Sequence, residues 1–324
     1  MTRLSLFATC LLATCLLATN TALPGALKRA GTVWLSGCDT GTANSLAAGS
    51  HRAAAACGDG QLRIWNTTNG EVLQSIPIPS TPIDAVAISW DGRWILAADH
   101  AGKTTMWDSR TGKVTLQTQL THYPSSIMFS RDSTTLAISA AGGPTAIFDV
   151  ATAHKLYDVA TTFGTAATAF SRDGRYFADA DTDTAVRIYE TKNGKLISEN
   201  HDFKLEPFTV DFTKDGKQVI AAGADRVIAY IDTATGKVGR KSKVQSEPIV
   251  YLEVSPDGES LAVAFVKAEN VTQPAPIAVW TVASAEEKSD WMPPGPITGA
   301  GWGSDGHFMV TTVDGKRMGV WQVP

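Results

Sequence analysis

The chain has 324 residues, a formal net charge of −4 at pH 7 and a hydrophobic content of 44%. This apolar fraction is ordinary for a globular protein and allows a sizeable core. The mildly acidic balance lacks the basic surface that nucleic-acid-binding proteins need, so we predict no nucleic-acid partner.

The first residues differ from the rest of the chain. Arg3 is the only charged residue before Lys28, and an apolar run extends from Leu4 to Ala18. This run is too short for an ordinary membrane span, and small polar residues follow it. A positive start, a short apolar stretch and a small-residue exit are typical of a secretory signal peptide.

We therefore predict a signal peptide over residues 1–22, a short leader over 23–30 and a folded domain over 31–324. The protein is then exported, as a periplasmic or secreted protein without an integral membrane span after signal removal. Two alternatives remain open. The apolar run could be a retained membrane anchor, or Cys15 could carry a lipid anchor, because Leu12-Ala13-Thr14-Cys15 resembles a lipobox.

A short phrase recurs six times along the folded part of the chain. It is written Ser-x-Asp-Gly in its commonest form, and its aspartates are Asp91, Asp132, Asp173, Asp215, Asp257 and Asp305. A period near 40 residues indicates small sheets, each of which buries its faces only by stacking on the next copy.

The repeat over residues 82–122 predicts four strands, a to d, separated by tight turns rich in Asp and Gly. We place strand a at 83–89, strand b at 94–98, strand c at 103–108 and strand d at 114–120. Four short strands joined by such turns form one antiparallel sheet.

One position near the end of strand c recurs seven times and is aromatic in six of them: Trp65, Trp107, Phe148, Tyr189, Ile231, Trp280 and Trp321. An aromatic side chain at a fixed register is expected to pack between neighbouring sheets. Seven such positions predict seven sheets. The chain ends at Pro324 directly after the last strand c, so we expect residues 32–36 to supply the missing outer strand and close the ring.

These features resemble the WD-repeat β-propeller family over about residues 30–324. The resemblance is carried by the Ser-x-Asp-Gly turns, the Thr-Gly-Lys turns and strand-c endings such as Met106-Trp107-Asp108. Among the strand-c endings, only Trp107-Asp108 spells the family's Trp-Asp pair, and the family's Gly-His dipeptide before strand a occurs in no repeat. The expected fold is all-β: a seven-bladed β-propeller of four-stranded antiparallel blades, with the last blade closed by the N-terminal strand.

Two cysteines remain after signal removal, Cys38 and Cys57. The d–a and b–c connections are expected at one end of the blades, which we call the top, and the a–b and c–d turns at the other end, the bottom. Both cysteines fall at the top of neighbouring blades. An oxidising compartment favours a disulfide between them, although two separate thiols remain an alternative.

Two acids, Asp211 and Glu253, share one register near the end of strand a in adjacent repeats. Ala87, Met128, Ala169 and Gly301 occupy this register elsewhere. A carboxylate near the axis is costly unless it is paired or hydrated. The pair therefore predicts either a ligand or cation site, with one raised pKa, or the wall of a water-filled channel. We favour the channel wall.

The sixth repeat has an insertion over 267–275, between strands b and c. Insertions in repeat proteins map to loops on one face, which is often the binding face, although a neutral insertion is an equal alternative. An exposed Trp and Met lie beside the insertion in the predicted arrangement. The candidate binding surface comprises Lys267, Glu269, Asn270, Gln273, Trp291, Met292, Asp225 and Arg226.

The sequence contains none of the catalytic or cofactor-binding motifs that we searched for. It contains no nucleophile elbow, phosphate-binding glycine loop or haem-attachment motif, so we predict no catalytic residue, metal site or cofactor. The main interpretation is an exported, monomeric, non-enzymatic scaffold that binds another protein of unknown identity. The alternatives are an exported propeller enzyme, either a lactone hydrolase or a quinone- or haem-dependent oxidoreductase, and a structural module of an envelope assembly.

Overall fold

The computed structural model describes residues 33–35, 38, 47–49, 51–78, 82–161, 164–244, 247–267, 273–293, 297–302, 308–313 and 317–322. The predicted signal peptide, leader and Cys15 lie outside these residues. Among the described residues, no helix has the length and apolarity needed to cross a membrane.

The strands are numbered in chain order and grouped into sheets. A short first strand, β1, covers Val33–Leu35. Sheet 1 contains β2 (Ala47–Gly49), β3 (Arg52–Ala56), β4 (Gln61–Asn66) and β5 (Val72–Pro77). Sheet 2 contains β6 (Ile83–Ile88), β7 (Trp94–Asp99), β8 (Lys103–Asp108) and β9 (Val114–Gln119). Sheet 3 contains β10 (Pro124–Phe129), β11 (Thr135–Ala140), β12 (Thr145–Asp149) and β13 (Lys155–Val159). Sheet 4 contains β14 (Thr165–Phe170), β15 (Tyr176–Asp181), β16 (Val186–Glu190) and β17 (Lys195–Asn200).

The second half of the chain continues the series. Sheet 5 contains β18 (Pro207–Phe212), β19 (Gln218–Gly223), β20 (Val227–Asp232) and β21 (Val238–Lys243). Sheet 6 contains β22 (Ile249–Val254), β23 (Ser260–Phe265), β24 (Ile277–Thr281) and β25 (Glu286–Trp291). The last strands are β26 (Ile297–Trp302), β27 (Phe308–Val313) and β28 (Arg317–Gln322).

Sheets 1 to 6 are each built from four consecutive strands that pair antiparallel in chain order. A further sheet, sheet 7, has the order β1-β28-β27-β26, in which Trp34 lies opposite Gly319. The predicted all-β architecture of four-stranded antiparallel sheets is confirmed. The strand limits predicted for residues 82–122 agree with β6 to β9 to within one residue.

The recurring Ser-x-Asp phrase forms the turn between the first and second strands of a sheet. In sheet 2, the Ser89 hydroxyl donates to Asp91 Oδ1 (2.5 Å) and accepts from the Trp94 amide (2.9 Å). The equivalent bonds recur at Ser130, Ser171, Thr213 and Ser255. The two side chains thus satisfy turn amides that strand pairing cannot reach, which explains the composition of the phrase.

The strand-c position predicted from the sequence lies in the third strand of every sheet, from Trp65 in β4 to Trp321 in β28. In sheets 1 to 6, the pairing of the third and fourth strands shifts register at this residue. Such a bulge increases the local twist of the strand. Trp107 packs in a cluster with residues of sheet 1, and Trp280 in a cluster with residues of sheet 5. The prediction that this position packs between sheets is therefore confirmed there.

The core consists of successive apolar clusters, each formed by the facing sides of two neighbouring sheets. The cluster between sheets 5 and 6, for example, includes Tyr230 from β20 and Leu261 from β23. The first strands of the sheets lie next to one another in order, from β2 and β6 through β10, β14 and β18 to β22 and β26. This arrangement brings residues about 42 positions apart in sequence together along the inner edges.

Candidate functional site

The two axial acids predicted from the sequence lie on neighbouring inner strands, and each binds the next sheet. Asp211, on β18, accepts from the Val254 amide through Oδ2 (2.7 Å). Glu253, on β22, accepts from the Trp302 amide through Oε2 (3.1 Å). The amides of an edge strand have no ladder partner on their outer side, so each carboxylate satisfies a group that would otherwise be unpaired.

Protein atoms surround the carboxyl groups of both acids. The two residues as a whole nevertheless keep partial contact with solvent. Burial raises the pKa of both carboxyl groups. The positive charge of Arg131 acts in the opposite direction on both, and the charge of Asp211 further raises the pKa of Glu253. The hydroxyl of Tyr251 donates to Glu253 Oε2, and burial raises the pKa of Tyr251 well above its usual value.

Two arginines complete this axial cluster, and sequence reasoning missed both. Arg172 extends from the a–b turn of sheet 4 to the backbone carbonyls of Ser255 and Pro256 in sheet 6. The guanidinium of Arg131 stacks on Trp90, 3.5 Å from the ring centroid. Burial lowers the pKa of Arg172, and the nearby charge of Arg131 adds to this effect.

The axial cluster therefore consists of Asp211, Glu253, Tyr251, Arg131 and Arg172. Its two formal negative charges face two positive charges, so the cluster is close to neutral. Arg172 links sheets 4 and 6, which are not neighbours, across the bottom end of the inner strands. This geometry links the sheets to one another. It does not leave a free carboxylate for acid–base chemistry at Asp211, because both carboxylate oxygens accept hydrogen bonds from backbone amides.

A second polar cluster, also missed from the sequence, lies in sheet 4 on the side that faces sheet 3. Arg187, on β16, pairs with Asp181 (2.5 Å) and Asp183 (2.6 Å). Asp179, on β15, is fully buried, and neither of its carboxyl oxygens has a hydrogen bond of normal geometry to a residue that the structure describes. Burial raises the pKa of Asp179 well above its usual value, and the charge of Asp181 adds to this. Burial also raises the pKa of Asp181, to about 6.

A comparison of the repeats would have indicated this second cluster. The register of Asp179 is occupied by uncharged residues in the other sheets: Ala55, Ala97, Ile138, Ala221, Val263 and Thr311. An acid in an otherwise uncharged register marks a departure from the repeat, just as it does for Asp211 and Glu253.

The candidate binding surface lies at the top ends of sheets 5 and 6. Asp225 and Arg226 form the turn between β19 and β20, and Asp225 Oδ1 accepts from the Val227 amide (3.1 Å). Lys267 follows β23, and its Nζ lies 3.3 Å from Glu247 Oε1. Gln273 is exposed on the far side of the insertion. Glu269 and Asn270 lie outside the described residues.

Trp291 and Met292, at the end of β25, differ from each other in exposure. Met292 is 56% exposed, as expected. Trp291 is only half-buried rather than freely exposed, because it packs against the cluster that contains Val279 and Trp302. The expectation of an exposed tryptophan is therefore wrong, and Met292 is the more exposed of the two side chains.

Other exposed large apolar side chains lie at the same end of the sheets. Tyr123 and Leu205 belong to d–a connections, and Val250 lies near the start of the inner strand of sheet 6. Tyr123 stacks on His100, whose Nδ1 lies 2.7 Å from Asp84 Oδ2. These residues mark the top as the end where apolar side chains reach solvent through the connections between sheets.

The predicted disulfide is present. Cys38 and Cys57 are bonded, with their Cα atoms 5.1 Å apart. Cys57 directly follows β3, the second strand of sheet 1, at the top. In the part of the chain that the structure describes, no group of three or more His, Cys, Asp or Glu side chains is placed to hold a metal ion.

No protein-family model matches the chain. A segment of 183 residues, 55% of the chain, is 27% identical to Autophagy-related protein 16 of Arabidopsis thaliana and covers 35% of that protein. A segment of 149 residues, 45% of the chain, is 22% identical to WD repeat-containing protein SL1-17 of Schistosoma mansoni and covers 48% of it. The matched parts thus span less than half the length of either relative. The chain is similar to WD-repeat proteins at low identity.

Proposed function

We propose that this chain is a WD-repeat β-propeller whose seven blades close into a ring over residues 31–324. The inner strands support closure, because β2 of the first sheet lies next to β26 of the last. The pairing of β1 with β28 supports it further, since that strand supplies the outer edge of sheet 7 from the other end of the chain. In a closed ring the inner edges of the sheets lie along the axis, where another chain cannot pair with them, and this removes a route to aggregation.

Its function in this proposal is to bind another protein, as a scaffold without enzymatic activity. The observation that carries this is the exposure of Tyr123, Leu205 and Met292 in connections at the top of the sheets. Aromatic and Met side chains are enriched at protein interfaces. The candidate surface around Lys267, Gln273 and Arg226 occupies the same end.

Export is part of the proposal. The Cys38–Cys57 disulfide supports it, because such bonds persist in oxidising compartments and are rare in reducing ones. The signal peptide over 1–22 gives the route, with a lipid anchor at Cys15 as the alternative form of the same export.

The test is an affinity capture from the compartment in which the protein resides, with the wild-type chain and two matched variants. The first variant carries Tyr123→Ser and Met292→Ser, which remove two exposed apolar side chains at the top of the sheets. In the control, Val72→Ser and Leu196→Ser alter similarly exposed apolar residues on outer strands β5 and β17. We expect the first variant to lose proteins that the wild type and the control retain.

Two outcomes contradict the proposal. Equal recovery with both variants would remove the top face as the binding surface. Turnover of a lactone or of a reducible dye by the purified chain would favour the enzymatic alternative. A third variant that shortens residues 267–275 tests whether the insertion contributes to the same surface.

A further inference from the structure

Exposed apolar side chains recur where the outer strands of sheets 1 to 4 begin. They belong to β5, β9, β13 and β17, and their exposed fractions are 37% to 53%. These side chains are Val72, Leu73, Val114, Leu156, Leu196 and Ile197. Because each outer strand starts from a c–d turn at the bottom, the six residues form an arc along the bottom edge of four neighbouring sheets. We call this arc the rim.

A β-bulge explains why large side chains of the rim reach solvent. Opposite the strand-c position, the pairing of the third and fourth strands skips Leu73 in sheet 1, Leu156 in sheet 3 and Ile197 in sheet 4. A bulge re-aims the side chain of the extra residue. In sheets 5 and 6 the skipped residues are Gly239 and Lys288, so the apolar arc ends after sheet 4.

Bases accompany these apolar residues. The four segments that lead into the outer strands contain five bases and one acid, Glu71: residues 67–71, 109–113, 150–155 and 191–195. All five bases are exposed: Arg110, Lys113, Lys155, Lys192 and Lys195. Among the described residues, Lys155 alone of the five has an ion-pair partner, Asp158 at 2.8 Å. A local positive excess is unexpected in a chain whose net charge is −4.

The acids that end the third strands lie deeper than these bases. Asp108 is only 8% exposed, and its carboxylate accepts from two amides of its own turn. Asp149 and Glu190 are half-buried, and each also accepts a hydrogen bond within its turn. The charge that the rim presents to solvent is therefore mainly positive.

The chain reaches sheet 7 from the same end. As a third strand, β28 runs from the top to the bottom, and in β1 Val33 lies opposite Val320 and Leu35 opposite Met318. The strand β1 therefore runs from the bottom towards the top, and the residues before it approach from the bottom. Seventeen residues separate Cys15 from Val33, which is about 60 Å at full extension. A membrane anchor in this part of the chain would hold the bottom, rather than the top, towards the bilayer.

We propose that the rim binds the surface of an anionic phospholipid membrane. The apolar side chains enter the boundary between headgroups and acyl chains, and the bases contact lipid phosphates. An arc over four sheets fits a flat surface that touches all of them at once, whereas a peptide fills one groove between two sheets. With the rim on the membrane, the top surface proposed to bind protein faces away from it.

The experiment measures co-sedimentation of the protein with lipid vesicles. One set contains equal parts of phosphatidylglycerol and phosphatidylcholine, and the other contains phosphatidylcholine alone. Every protein is recovered from the exported fraction, so that all variants share one N-terminus. We expect the wild type to bind the anionic vesicles more tightly than the neutral ones, and this difference should shrink as the salt concentration rises.

The two variants of the capture experiment exchange roles here. Val72→Ser with Leu196→Ser removes two apolar side chains of the rim and should weaken binding to anionic vesicles about tenfold. Tyr123→Ser with Met292→Ser alters the top and should bind as the wild type does. Because all four side chains are exposed, both variants should fold.

A second pair of variants tests the charges. Lys113→Gln with Lys195→Gln should weaken binding to anionic vesicles about fivefold for each base. Lys103→Gln with Lys204→Gln makes the same change of net charge at exposed residues near the top, and it should retain wild-type binding.

Several results would overturn the inference. These are equal binding to both kinds of vesicle, wild-type binding by the rim variants, or equal loss in the rim variants and their controls. Loss in the lysine variant with full binding by the Val72 and Leu196 variant would show a general polyanion site instead of a membrane contact. Vesicle binding without partner capture would remove only the proposed top surface, and capture without vesicle binding would remove only the rim.

Discussion

Replacement of Asp179 gives the sharpest test of the electrostatics inside the sheets. This carboxyl is fully buried between sheets 3 and 4 without a well-formed hydrogen bond to any of the described residues, and its pKa is raised by burial and by the charge of Asp181. The charged groups around it are Asp181, Asp183 and Arg187, with Tyr189 beside it. Folding therefore favours the protonated form of Asp179.

The raised pKa of Asp179 determines how the free energy of unfolding changes with pH. Below the ordinary pKa of 3.8, Asp179 is protonated in both the folded and the unfolded chain, so its titration does not change the free energy of unfolding. Above that value the unfolded chain releases the proton while the folded chain retains it. The free energy of unfolding then falls by about 1.4 kcal/mol per pH unit until the raised pKa is reached.

Asp179→Asn and Asp179→Ala both remove this titration. Their stability relative to the wild type should therefore rise with pH by about 1.4 kcal/mol per unit from about pH 4 upward. The offsets should differ, because the amide leaves buried donors unpaired at a cost of about 1–3 kcal/mol, whereas alanine leaves a small cavity. Alanine occupies the same register in sheets 1, 2 and 5.

The assay is urea unfolding of the wild type and both variants at several pH values between 4 and 8. Asp183→Asn serves as a control, because it removes a partner of Arg187 and should destabilise the chain without the same slope. A relative stability that does not change with pH, or that falls as pH rises, would refute the reasoning that Asp179 is held protonated.

Three further predictions concern the framework. Gly112 and Gly236 occupy equivalent c–d turns with φ of 68° and 70°, so alanine is strained at both by about 1–2 kcal/mol. Gly236→Ala should lower the melting temperature further than Gly112→Ala, because its Cβ would lie 2.2 Å from the Glu199 carbonyl oxygen; equal melting temperatures would contradict this. Cys57→Ser should lower the free energy of unfolding by about 3 kcal/mol, since the bond closes a loop with a sequence separation of 19. Reductant should destabilise the wild type and leave that variant unchanged. Ser171→Ala should cost about 1–3 kcal/mol in urea unfolding, because it leaves the Tyr176 amide without its partner at 2.9 Å.

The repeat made most of the strand positions predictable from the sequence. Each Ser-x-Asp phrase fixes the turn after an inner strand, and the aromatic strand-c position fixes the third strand. Local chemistry is sufficient here, because the hydroxyl, the carboxylate and the turn amides they satisfy lie within six residues of one another. Such patterns are visible in a single stretch of sequence.

The axial cluster could be predicted only in part. Asp211 and Glu253 were found because they depart from an otherwise uncharged register. Arg131 and Arg172 were not found, because each occupies the variable position of a turn phrase, where a long charged side chain normally lies in solvent. Their contacts join residues that are 41 to 84 positions apart in the sequence, and that proximity arises only when the sheets stack.

Departure from the repeat marks a residue as unusual but does not say whether its role is structural or functional. The location of its partner decides this. Asp211 and Glu253 find their partners in the backbone amides of the next sheet, so their unusual chemistry is used to join sheets.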